Sequence, residues 1–299
     1  MRLSCNLKNL LLAGSATLML AACAPAAETP AAPPAPAEEM SQTSGPALYV
    51  DVLDCGTIAI SDLDAFSSAG DYAGTTDTFT NTCYLINHPD GRLLWDMGVP
   101  GMLSVAGPVV QDIFTVSLNA TLTEQLEALG LTPADIDYVS ISHSHFDHIG
   151  QADQVQGATW LVHQTELDLM IPADGSVPQT TADQIALFNA FKGFNREAFT
   201  GEKDVFGDGS VVIFETPGHT PGHTSLQLTL PESGPVLLTG DLYHRSESRD
   251  LGRVPRFNSN EENTLASMAL FEARATDLGA RVIIQHEAAD IDPLGGVIR

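Results

Sequence analysis

DYVSISHSHFDHIG, spanning residues 137–150, is the most informative segment of this 299-residue chain. Its first part, DYVSIS, is strand-like, and the six residues that follow include four side chains able to bind metal: His143, His145, Asp147 and His148. In an extended segment, residues two positions apart point to the same side. His143 and His145 can therefore reach one metal ion together.

The second half of the same run can serve a second ion. Asp147 and His148 follow as the chain turns into Gly150, so they can face away from the first pair. Phe146 is the only sizeable apolar residue within the run, and packing into a core therefore does not explain it. The composition and the spacing predict a metal site rather than a polar loop.

The first 22 residues have the pattern of an export signal. Arg2 and Lys8 form a short basic start, an apolar run follows, and the motif Leu-Ala-Ala-Cys ends at Cys23. The apolar run is too short to span a membrane comfortably. The pattern resembles a bacterial lipoprotein signal, in which the cysteine becomes the lipidated first residue. A plain signal peptide and an uncleaved anchor are the alternatives, and each of the three implies export.

Residues 23–46 begin with that cysteine and continue as an Ala/Pro/Glu-rich segment without apolar periodicity. Such a segment cannot bury enough surface to fold, so it is predicted to be a disordered tether between a membrane and a folded domain at 47–299. Ala24 is not the aspartate that retains lipoproteins at the inner membrane. We therefore expect a lipid-anchored protein on the periplasmic face of the cell envelope, with the outer membrane favoured.

The chain is strongly acidic, with 13 Lys and Arg against 38 Asp and Glu and a formal net charge of −25. A surface of this charge repels nucleic-acid phosphates. The composition therefore excludes a nucleic acid as partner and favours a small-molecule substrate. The sequence does not determine the oligomeric state, for which a homodimer is one option.

Two cysteines, Cys55 and Cys83, fall in early strand-like runs of the folded domain. An oxidising compartment would allow a disulfide between them. Cysteines in strands also serve as small apolar residues, and we therefore predict two buried free thiols. Neither residue is near the histidine run in sequence, so neither is counted as a metal ligand.

The apolar patterning predicts two sheets covered by helices. The predicted elements are strands at 47–60, 81–98 (as a hairpin), 137–142, 211–230 (two strands), 235–241 and 281–285, a strand entering a helix at 158–166, and helices at 121–130 and 261–279. Irregular stretches at 61–80 and 98–120 and a helical insertion at 166–200 contain many phenylalanines. These side chains either pack the insertions together or line an apolar substrate cleft.

Three further candidate ligands each lie at the end of a predicted strand. His219 lies in a Thr-Pro-Gly-His-Thr loop, Asp241 ends PVLLTGD, and His286 follows RVIIQ. Two divalent ions need more ligands than the run at 143–148 supplies, and a carboxylate can bridge both ions. The donor set suits zinc, with manganese, cobalt or iron as alternatives.

The motifs, in the order in which they occur along the chain, resemble those of the two-metal hydrolases of the metallo-β-lactamase superfamily. The resemblance covers nearly all of residues 47–290. The resemblance implies an α/β fold, an αββα four-layer sandwich with the metals at one edge of two sheets. It also implies two ligand sets that share Asp241 as a bridge: His143, His145 and His219 for one ion, and Asp147, His148 and His286 for the other.

The remaining histidines are given structural interpretations. In proteins similar to this one the first Gly-His of the TPGHTPGHT segment binds metal, so His223 is expected to orient a neighbouring residue. His163, in a strand, is predicted to be a structural histidine. His88, in a turn, is expected to face solvent.

Flanking segments narrow the resemblance to the quorum-quenching N-acyl homoserine lactonases: CYLINHPDGRLLWDMG, FDHIGQ, TPGHTPGHTSL and IIQHEAAD. Those lactonases commonly carry a tyrosine three residues after the bridging aspartate, where it helps to hold the carbonyl oxygen. Here His244 occupies that position and Tyr243 precedes it. Either side chain can donate the hydrogen bond.

The resemblance thus implies a dinuclear hydrolase that opens a lactone or ester ring, with N-acyl homoserine lactones as expected substrates. A metal-bridging hydroxide would attack the carbonyl, His244 or Tyr243 would stabilise the oxyanion, and Asp147 would pass a proton to the leaving oxygen. The alternative is an organophosphate or aryl-ester hydrolase of the methyl-parathion type. A lipoprotein that binds a ligand through a retained metal, without turnover, is the third hypothesis.

Overall fold

The computed structural model describes residues 48–299, and the predicted signal (1–22) and tether (23–46) lie outside the described residues. The strands belong to two sheets. In chain order they are β1 (Tyr49–Ile60), β2 (Asp77–His88), β3 (Gly91–Trp95), β4 (Val109–Gln111), β5 (Phe114–Ser117), β6 (Tyr138–Ser140), β7 (Thr159–His163), β8 (Asn195–Phe199), β9 (Lys203–Asp204), β10 (Val211–Glu215), β11 (Thr224–Leu230), β12 (Gly234–Leu238), β13 (Arg281–Ile283) and β14 (Val297–Ile298).

The larger sheet has nine strands in the order β4-β5-β1-β2-β3-β6-β7-β8, with β14 paired to β1. The smaller sheet has five, in the order β13-β12-β11-β10-β9. Strands β3, β6, β7 and β8 run parallel to one another, as do β12 and β13. Parallel neighbours bring their carboxyl ends to the same edge of a sheet, and six of the seven candidate ligands follow these ends. The seventh, His219, lies in the loop between the antiparallel strands β10 and β11.

The helices lie between and after the strands. They are α1 (Leu103–Ala106), α2 (Leu122–Ala128), α3 (Phe146–Ile149), α4 (Gln164–Met170), α5 (Ala182–Ala190), α6 (Ser246–Leu251), α7 (Glu261–Leu278) and α8 (Ala288–Ile291). A capping box between Thr121 and Glu124 fixes the start of α2. Helix α7 begins at the N-cap Asn260 and ends at Gly279, whose φ of 60° is the left-handed conformation that favours glycine. Within residues 48–299, no helix has the length and apolar composition that a membrane crossing requires.

The two sheets pack face to face around the largest inter-sheet core. Its buried residues from the larger sheet include Val50, Tyr84, Ile86, Leu93, Trp95 and Leu161, and those from the smaller sheet include Val211, Ile213, Leu226, Leu228, Val236, Leu238 and Ile283. Fully burying one such side chain contributes about 1.5–3 kcal/mol, so the contact between the sheets stabilises the fold.

Helices cover the outer face of each sheet. On the larger sheet, apolar residues of α2, α4 and α5 pack over the outer side chains of the strands: Leu122, Leu126, Leu167, Met170 and Phe188. On the smaller sheet, α7 contributes Met268, Phe271 and Ala275, which pack against Phe214 and Leu237. This order of layers confirms the predicted αββα sandwich.

One stretch that the sequence predicts to be irregular, 98–120, contains regular structure. Strands β4 and β5 form a hairpin in which Val110 pairs with Thr115. Asp112 lies at its tip with a φ of 53°, a left-handed conformation that Asp tolerates better than most residues. The short strands lack a long alternating pattern, which explains why periodicity alone does not predict them.

Cys55 and Cys83 form a disulfide, so the prediction of two free thiols is wrong. Strands β1 and β2 are neighbours, and their register shifts between Asp54 and Gly56, which makes Cys55 part of a bulge. The Cα atoms of Cys55 and Cys83 lie 5.7 Å apart, within the range that a disulfide bridges. Strand pairing and register, which composition does not reveal, bring the two sulfur atoms together.

His88 is also placed differently from the expectation. Its ring is buried and stacks on Phe206 with the ring centres 4.1 Å apart, and its Nε2 lies 3.1 Å from Asp208 Oδ2. His163 is a structural histidine as predicted, with Nε2 2.7 Å from Glu215 Oε1.

Candidate metal centre

All seven predicted metal ligands meet at one edge of the sandwich. Their ligand atoms form two groups, within each of which the atoms lie within 4.8 Å of one another, and Asp241 belongs to both. The first group is His143, His145, His219 and Asp241, and the second is Asp147, His148, Asp241 and His286. All are buried except His145, which is half-buried.

The ends of parallel strands, one short helix and, for His219, the loop between β10 and β11 position these side chains. His143 and His145 follow β6, and Asp147 and His148 lie in the single turn of α3. Because the chain changes there from extended to helical, the first pair and the second pair point at different groups. Asp241 follows β12 and His286 follows its parallel neighbour β13, so both reach the same edge.

In the first group, the imidazole nitrogens converge on one point. His145 Nδ1 lies 2.8 Å from His143 Nε2 and 3.0 Å from His219 Nε2. Asp241 Oδ2 lies 3.3 Å from His219 Nε2 and 3.6 Å from His143 Nε2. Three nitrogens and one carboxylate oxygen at this spacing match a four-coordinate zinc site.

The second group uses the other oxygen of the same carboxylate. Asp241 Oδ1 lies 3.0 Å from His286 Nε2 and 3.2 Å from His148 Nε2. Asp147 Oδ2 lies 3.6 Å from each of these two nitrogens. Because Oδ1 faces one group and Oδ2 faces the other, Asp241 has the geometry of a bridging ligand.

Outward hydrogen bonds hold the rings in the tautomer that metal binding needs. His286 Nδ1 donates to the Thr80 carbonyl at 2.8 Å, and His148 Nδ1 lies 2.9 Å from Asp96 Oδ2. His219 Nδ1 lies 3.1 Å from Asn258 Oδ1. A proton on each Nδ1 leaves the Nε2 lone pair directed at the ligand groups.

Burial also keeps the first group ready to bind a cation. It lowers the pKa of His143 and of His145 well below the ordinary histidine value, so both rings are neutral. Neutral imidazole is the form that binds metal.

The carboxylates of the second group determine its electrostatics. Burial opposes protonation of His148, but Asp241, Asp147 and Asp96 outweigh it and raise the pKa of that ring well above its ordinary value. Among residues 48–299, the ion pairs of these three aspartates involve histidines only, with no lysine or arginine. The carboxylates therefore require positive charge that the surrounding side chains supply only by taking up protons.

Two buried atoms at the centre make no hydrogen bond to any residue that the structure describes: His148 Nε2 and Asp241 Oδ1. Leaving buried polar atoms unpaired costs about 1–3 kcal/mol each. Metal coordination would satisfy both atoms and would neutralise the carboxylates. The residues present therefore fit a pair of divalent cations.

Asp96 is absent from the predicted ligand set, yet it organises the centre. It is fully buried with a φ of 62°, and its carboxylate accepts hydrogen bonds from the Ser142 backbone N–H at 2.6 Å and from Gln285 Nε2 at 3.0 Å. With its bond to His148, Asp96 joins the ends of β3, β6 and β13. The sequence feature that could have identified Asp96 is an acidic residue after a strand, in the segment Trp-Asp-Met-Gly at 95–98. Asp241 shares this feature.

His223 orients a neighbour, as expected, and the neighbour is Asp241. Its Nδ1 donates to the Thr216 carbonyl at 3.0 Å, so its Nε2 accepts the backbone N–H of Asp241 at 3.0 Å. Burial lowers the pKa of His223 to about 3, which keeps that nitrogen free to accept. A Cβ at Gly240, where φ is 53°, would lie 2.8 Å from His223 Nε2, so only glycine permits this approach.

The structure separates the two candidates for holding the carbonyl oxygen. His244 is buried beside the ligands, with Nε2 3.0 Å from Asp241 Oδ2 and its ring stacked over His286. Tyr243 points the opposite way, and its hydroxyl donates to Glu272 at 2.9 Å in the core beneath α7. Extended neighbours face opposite sides, so of these two residues His244 faces the ligand groups and Tyr243 faces away from them.

A cavity of about 520 Å³ opens beside the ligands. Its wall is mainly apolar, with Ile58, Ala65, Phe66, Phe79, Ile113, Phe114, Phe146 and Phe257, and its polar part is Asp112, His145, Asp147, Asp241, His244, Arg256 and His286. This volume is ordinary for a small-molecule site. Three of the predicted aromatic residues therefore line the cleft (Phe66, Phe79 and Phe114), whereas Phe188, Phe191 and Phe194 pack in the core with Trp160.

Comparisons with known proteins agree with this geometry. The sequence profile of the Metallo-beta-lactamase superfamily matches residues 76–286. The N-acyl homoserine lactonase AttM of Rhizobium johnstonii is 30% identical over 222 residues, which cover 69% of this chain and 81% of that protein. The N-acyl homoserine lactonase AiiA of Bacillus thuringiensis subsp. kurstaki is 26% identical over 193 residues, covering 62% of this chain and 72% of that protein.

Solved structures show the same fold. A quorum-quenching N-acyl homoserine lactone hydrolase superposes with a TM-score of 0.69 at 23% identity, covering 83% of this chain and 95% of that chain. AidC, a dizinc quorum-quenching lactonase, superposes with a TM-score of 0.64 at 20% identity, covering 85% of this chain and 90% of that chain. Together with the profile match and the layered sandwich, these findings establish that the chain belongs to the metallo-beta-lactamase superfamily and is a metal-dependent hydrolase.

Proposed function

We propose that this protein is a dinuclear zinc hydrolase that opens the ring of N-acyl homoserine lactones. One observation carries the proposal: two ligand groups share the two oxygens of Asp241 beside an apolar cavity. The names of the relatives, N-acyl homoserine lactonase in each case, support the substrate class. The description of AidC as a dizinc enzyme supports the metal, although manganese, cobalt and iron suit the same donors.

The two groups would each hold one ion, with Asp241 as the bridge: His143, His145 and His219 on one side, and Asp147, His148 and His286 on the other. Such ions, when bound, supply Lewis acidity, which polarises a carbonyl oxygen and makes a water molecule more acidic. The outward hydrogen bonds of His148, His219 and His286 hold those rings in place for this task.

In this proposal Asp147 transfers the proton. Its carboxylate lies on the cavity wall, where it would accept a proton from the attacking water and deliver it to the ring oxygen as the ring C–O bond breaks. The water oxygen forms the new C–O bond, so the product is the open N-acyl homoserine. His244 lines the same cavity and would direct an N–H at the carbonyl oxygen, where negative charge develops.

The aromatic wall would hold the acyl tail. Phe66 lies at the centre of this wall, with its ring 5.0 Å from that of Phe79 and 5.1 Å from that of Phe257. Each buried CH₂ group contributes about 0.8 kcal/mol, which corresponds to roughly a fourfold gain in kcat/KM per CH₂ until the cavity is filled.

The proposal is tested by measuring hydrolysis of N-acyl homoserine lactones of increasing chain length, with and without a chelator. We expect chelator-sensitive turnover that rises with chain length and exceeds turnover of a phosphotriester such as methyl parathion. A faster phosphotriester rate would instead support the organophosphate hydrolase. Undetectable turnover of a broad ester and lactone panel by zinc-loaded protein would support a binding lipoprotein.

Asp241→Ala tests the dinuclear part of the proposal. The variant should lose at least one ion and nearly all lactonase activity, because both groups lose an oxygen ligand. Metal content measured by elemental analysis is the second readout. An Asp241→Ala protein with two ions and full activity would refute the assignment.

We further propose that the protein is exported and held at the periplasmic face of the cell envelope by a lipid on Cys23. The basic start, apolar run and cysteine support this location. Wild-type protein expressed in a bacterial host should take up labelled palmitate and sediment with membranes, whereas Cys23→Ser should do neither. An unlabelled wild-type protein would contradict the lipid anchor.

A further inference from the structure

Glu166 is a buried carboxylate that the proposed reaction does not use. It lies in the first turn of α4, with 1% of its surface exposed. It accepts three hydrogen bonds: from the Ser144 backbone N–H at 2.8 Å, the Thr220 hydroxyl at 2.9 Å and the Gly222 backbone N–H at 3.0 Å. Burying a carboxylate is costly, so these three donors provide its main compensation.

The donors belong to the two loops that carry the histidines of the first ligand group. Ser144 lies between His143 and His145, and Thr220 directly follows His219. Glu166 Oε1 binds the first loop and Oε2 binds the second. A single side chain therefore spans the two loops.

The local packing is built around this contact. A Cβ at Gly222 would lie 2.4 Å from the Glu166 backbone nitrogen and 2.8 Å from its Cβ, so the second loop reaches α4 only with glycine at that position. Gln184 of α5 holds the other side of Ser144, since its Nε2 donates to the Ser144 carbonyl at 2.6 Å. Side chains of two helices thus fix the peptide groups on both sides of Ser144.

We propose that Glu166 is a positioning residue that sets the spacing of His143, His145 and His219 and so determines how tightly this group binds its metal ion. The inference rests on the proposed metal binding by these histidines. Glu166 acts through Ser144 and the loop of His219, since its hydrogen bonds reach backbone and hydroxyl groups rather than the imidazoles. Removing an outer partner of metal ligands typically weakens metal binding about 10–100-fold.

Glu166→Gln tests the proposal with little change in side-chain size. The amide oxygen can accept from one loop, but the amide nitrogen then faces the N–H donor of the other. In a zinc titration against a chromophoric chelator, wild type should bind two ions, and the variant should bind one of them about 10–100-fold more weakly. Asp168→Asn, which makes the same change at an exposed position of the same helix, should leave both affinities unchanged.

Cobalt binding provides a spectroscopic readout that a loss of stability alone would not produce. In Glu166→Gln, the visible absorbance of one cobalt ion should appear only at higher cobalt concentration, and excess zinc should restore kcat. A folded variant that binds both ions with wild-type affinity would overturn the proposal. Wild-type protein that binds no zinc would overturn the proposed function, and the inference with it.

A second variant covers the case in which Glu166→Gln does not fold, as judged by circular dichroism. Thr220→Val removes one hydroxyl donor from one loop and keeps the carboxylate and the shape of the side chain. The same ion should then bind more weakly than in wild type, by a smaller factor than in Glu166→Gln. Unchanged zinc affinity in folded Thr220→Val would overturn the proposal in that case.

Discussion

Replacing His244 with phenylalanine would separate the chemical role of this side chain from its packing role. The imidazole packs at 4.9 Å from the ring of Phe66 and stacks over His286 at 5.7 Å, and a phenylalanine ring can keep both contacts. What the variant loses is the N–H, whose nitrogen lies 3.0 Å from Asp241 Oδ2. The loss is therefore confined to a polar group at the centre of the site.

Two magnitudes distinguish the roles that this N–H can have. If it stabilises the developing oxyanion, removing it costs about 10²–10³ in kcat, or roughly 2.7–4 kcal/mol. If it only orients Asp241, the loss of a hydrogen bond to a charged group, about 1.5–3 kcal/mol, weakens metal binding instead. At saturating zinc the loss of oxyanion stabilisation still lowers kcat, whereas weaker metal binding no longer has an effect.

The assay is kcat and KM for one medium-chain N-acyl homoserine lactone at saturating zinc, followed by the acid that lactone opening releases. We expect His244→Phe to lower kcat about 100-fold with little change in KM, which corresponds to about 2.7 kcal/mol. Tyr243→Phe is the matched control, since its hydroxyl bonds to Glu272. It should keep wild-type kcat and lose about 1 kcal/mol of stability.

Wild-type kcat in zinc-saturated His244→Phe would show that the N–H does not stabilise the oxyanion. A collapse of kcat in folded Tyr243→Phe would show that the tyrosine, despite its position beneath α7, contributes to the reaction.

Three further predictions concern stability. Chelation should lower the melting temperature, because it leaves buried carboxylates without positive charge. Free zinc at 1,000 times Kd should restore about 4.1 kcal/mol of unfolding free energy per site. A melting temperature that does not respond to zinc would contradict this prediction. The Cys55–Cys83 disulfide closes a loop with a sequence separation of 28, so the double alanine variant should lose roughly 3.5 kcal/mol in urea unfolding. Labelling of Cys55 and Cys83 by a thiol reagent in unfolded, unreduced wild type, located by peptide mapping, would disprove the bond. The nearby Ser210 hydroxyl and the Ser210 backbone N–H, which donates to Asp208 Oδ1 at 2.9 Å, lower the pKa of Asp208 to about 2. The contribution of Asp208 to stability is therefore present above pH ~4 and is lost as pH falls towards 2. The difference in unfolding free energy between wild type and Asp208→Asn should therefore shrink over that window, and a constant difference would contradict the shift.

Local spacing explains why much of the centre is predictable from the chain alone. His143, His145, Asp147 and His148 lie within six residues, so their proximity in space follows from their proximity in sequence. Asp241 and His286 follow two parallel strands, and the ends of parallel strands share an edge. The layered fold follows from apolar patterning and from the resemblance that these motifs carry.

Other features depend on contacts between distant segments. The roles of Asp96 and Glu166 arise because Ser142, Ser144 and Gly222 are folded against them. The Cys55–Cys83 bond depends on the register of β1 and β2, which alternating patterns leave open.

The residue pattern is enough to predict the kind of centre: two groups of His and Asp ligands at the end of a sandwich, in a strongly acidic protein. Which of Tyr243 and His244 faces the ligands depends on the tertiary structure. Adjacent residues in an extended segment face opposite sides, and the side that meets the ligands is set by how β12 and α7 pack rather than by the identities of the two residues. The same holds for the aromatic residues, since Phe66 and Phe191 look alike in sequence but lie in a cavity wall and in a core, respectively.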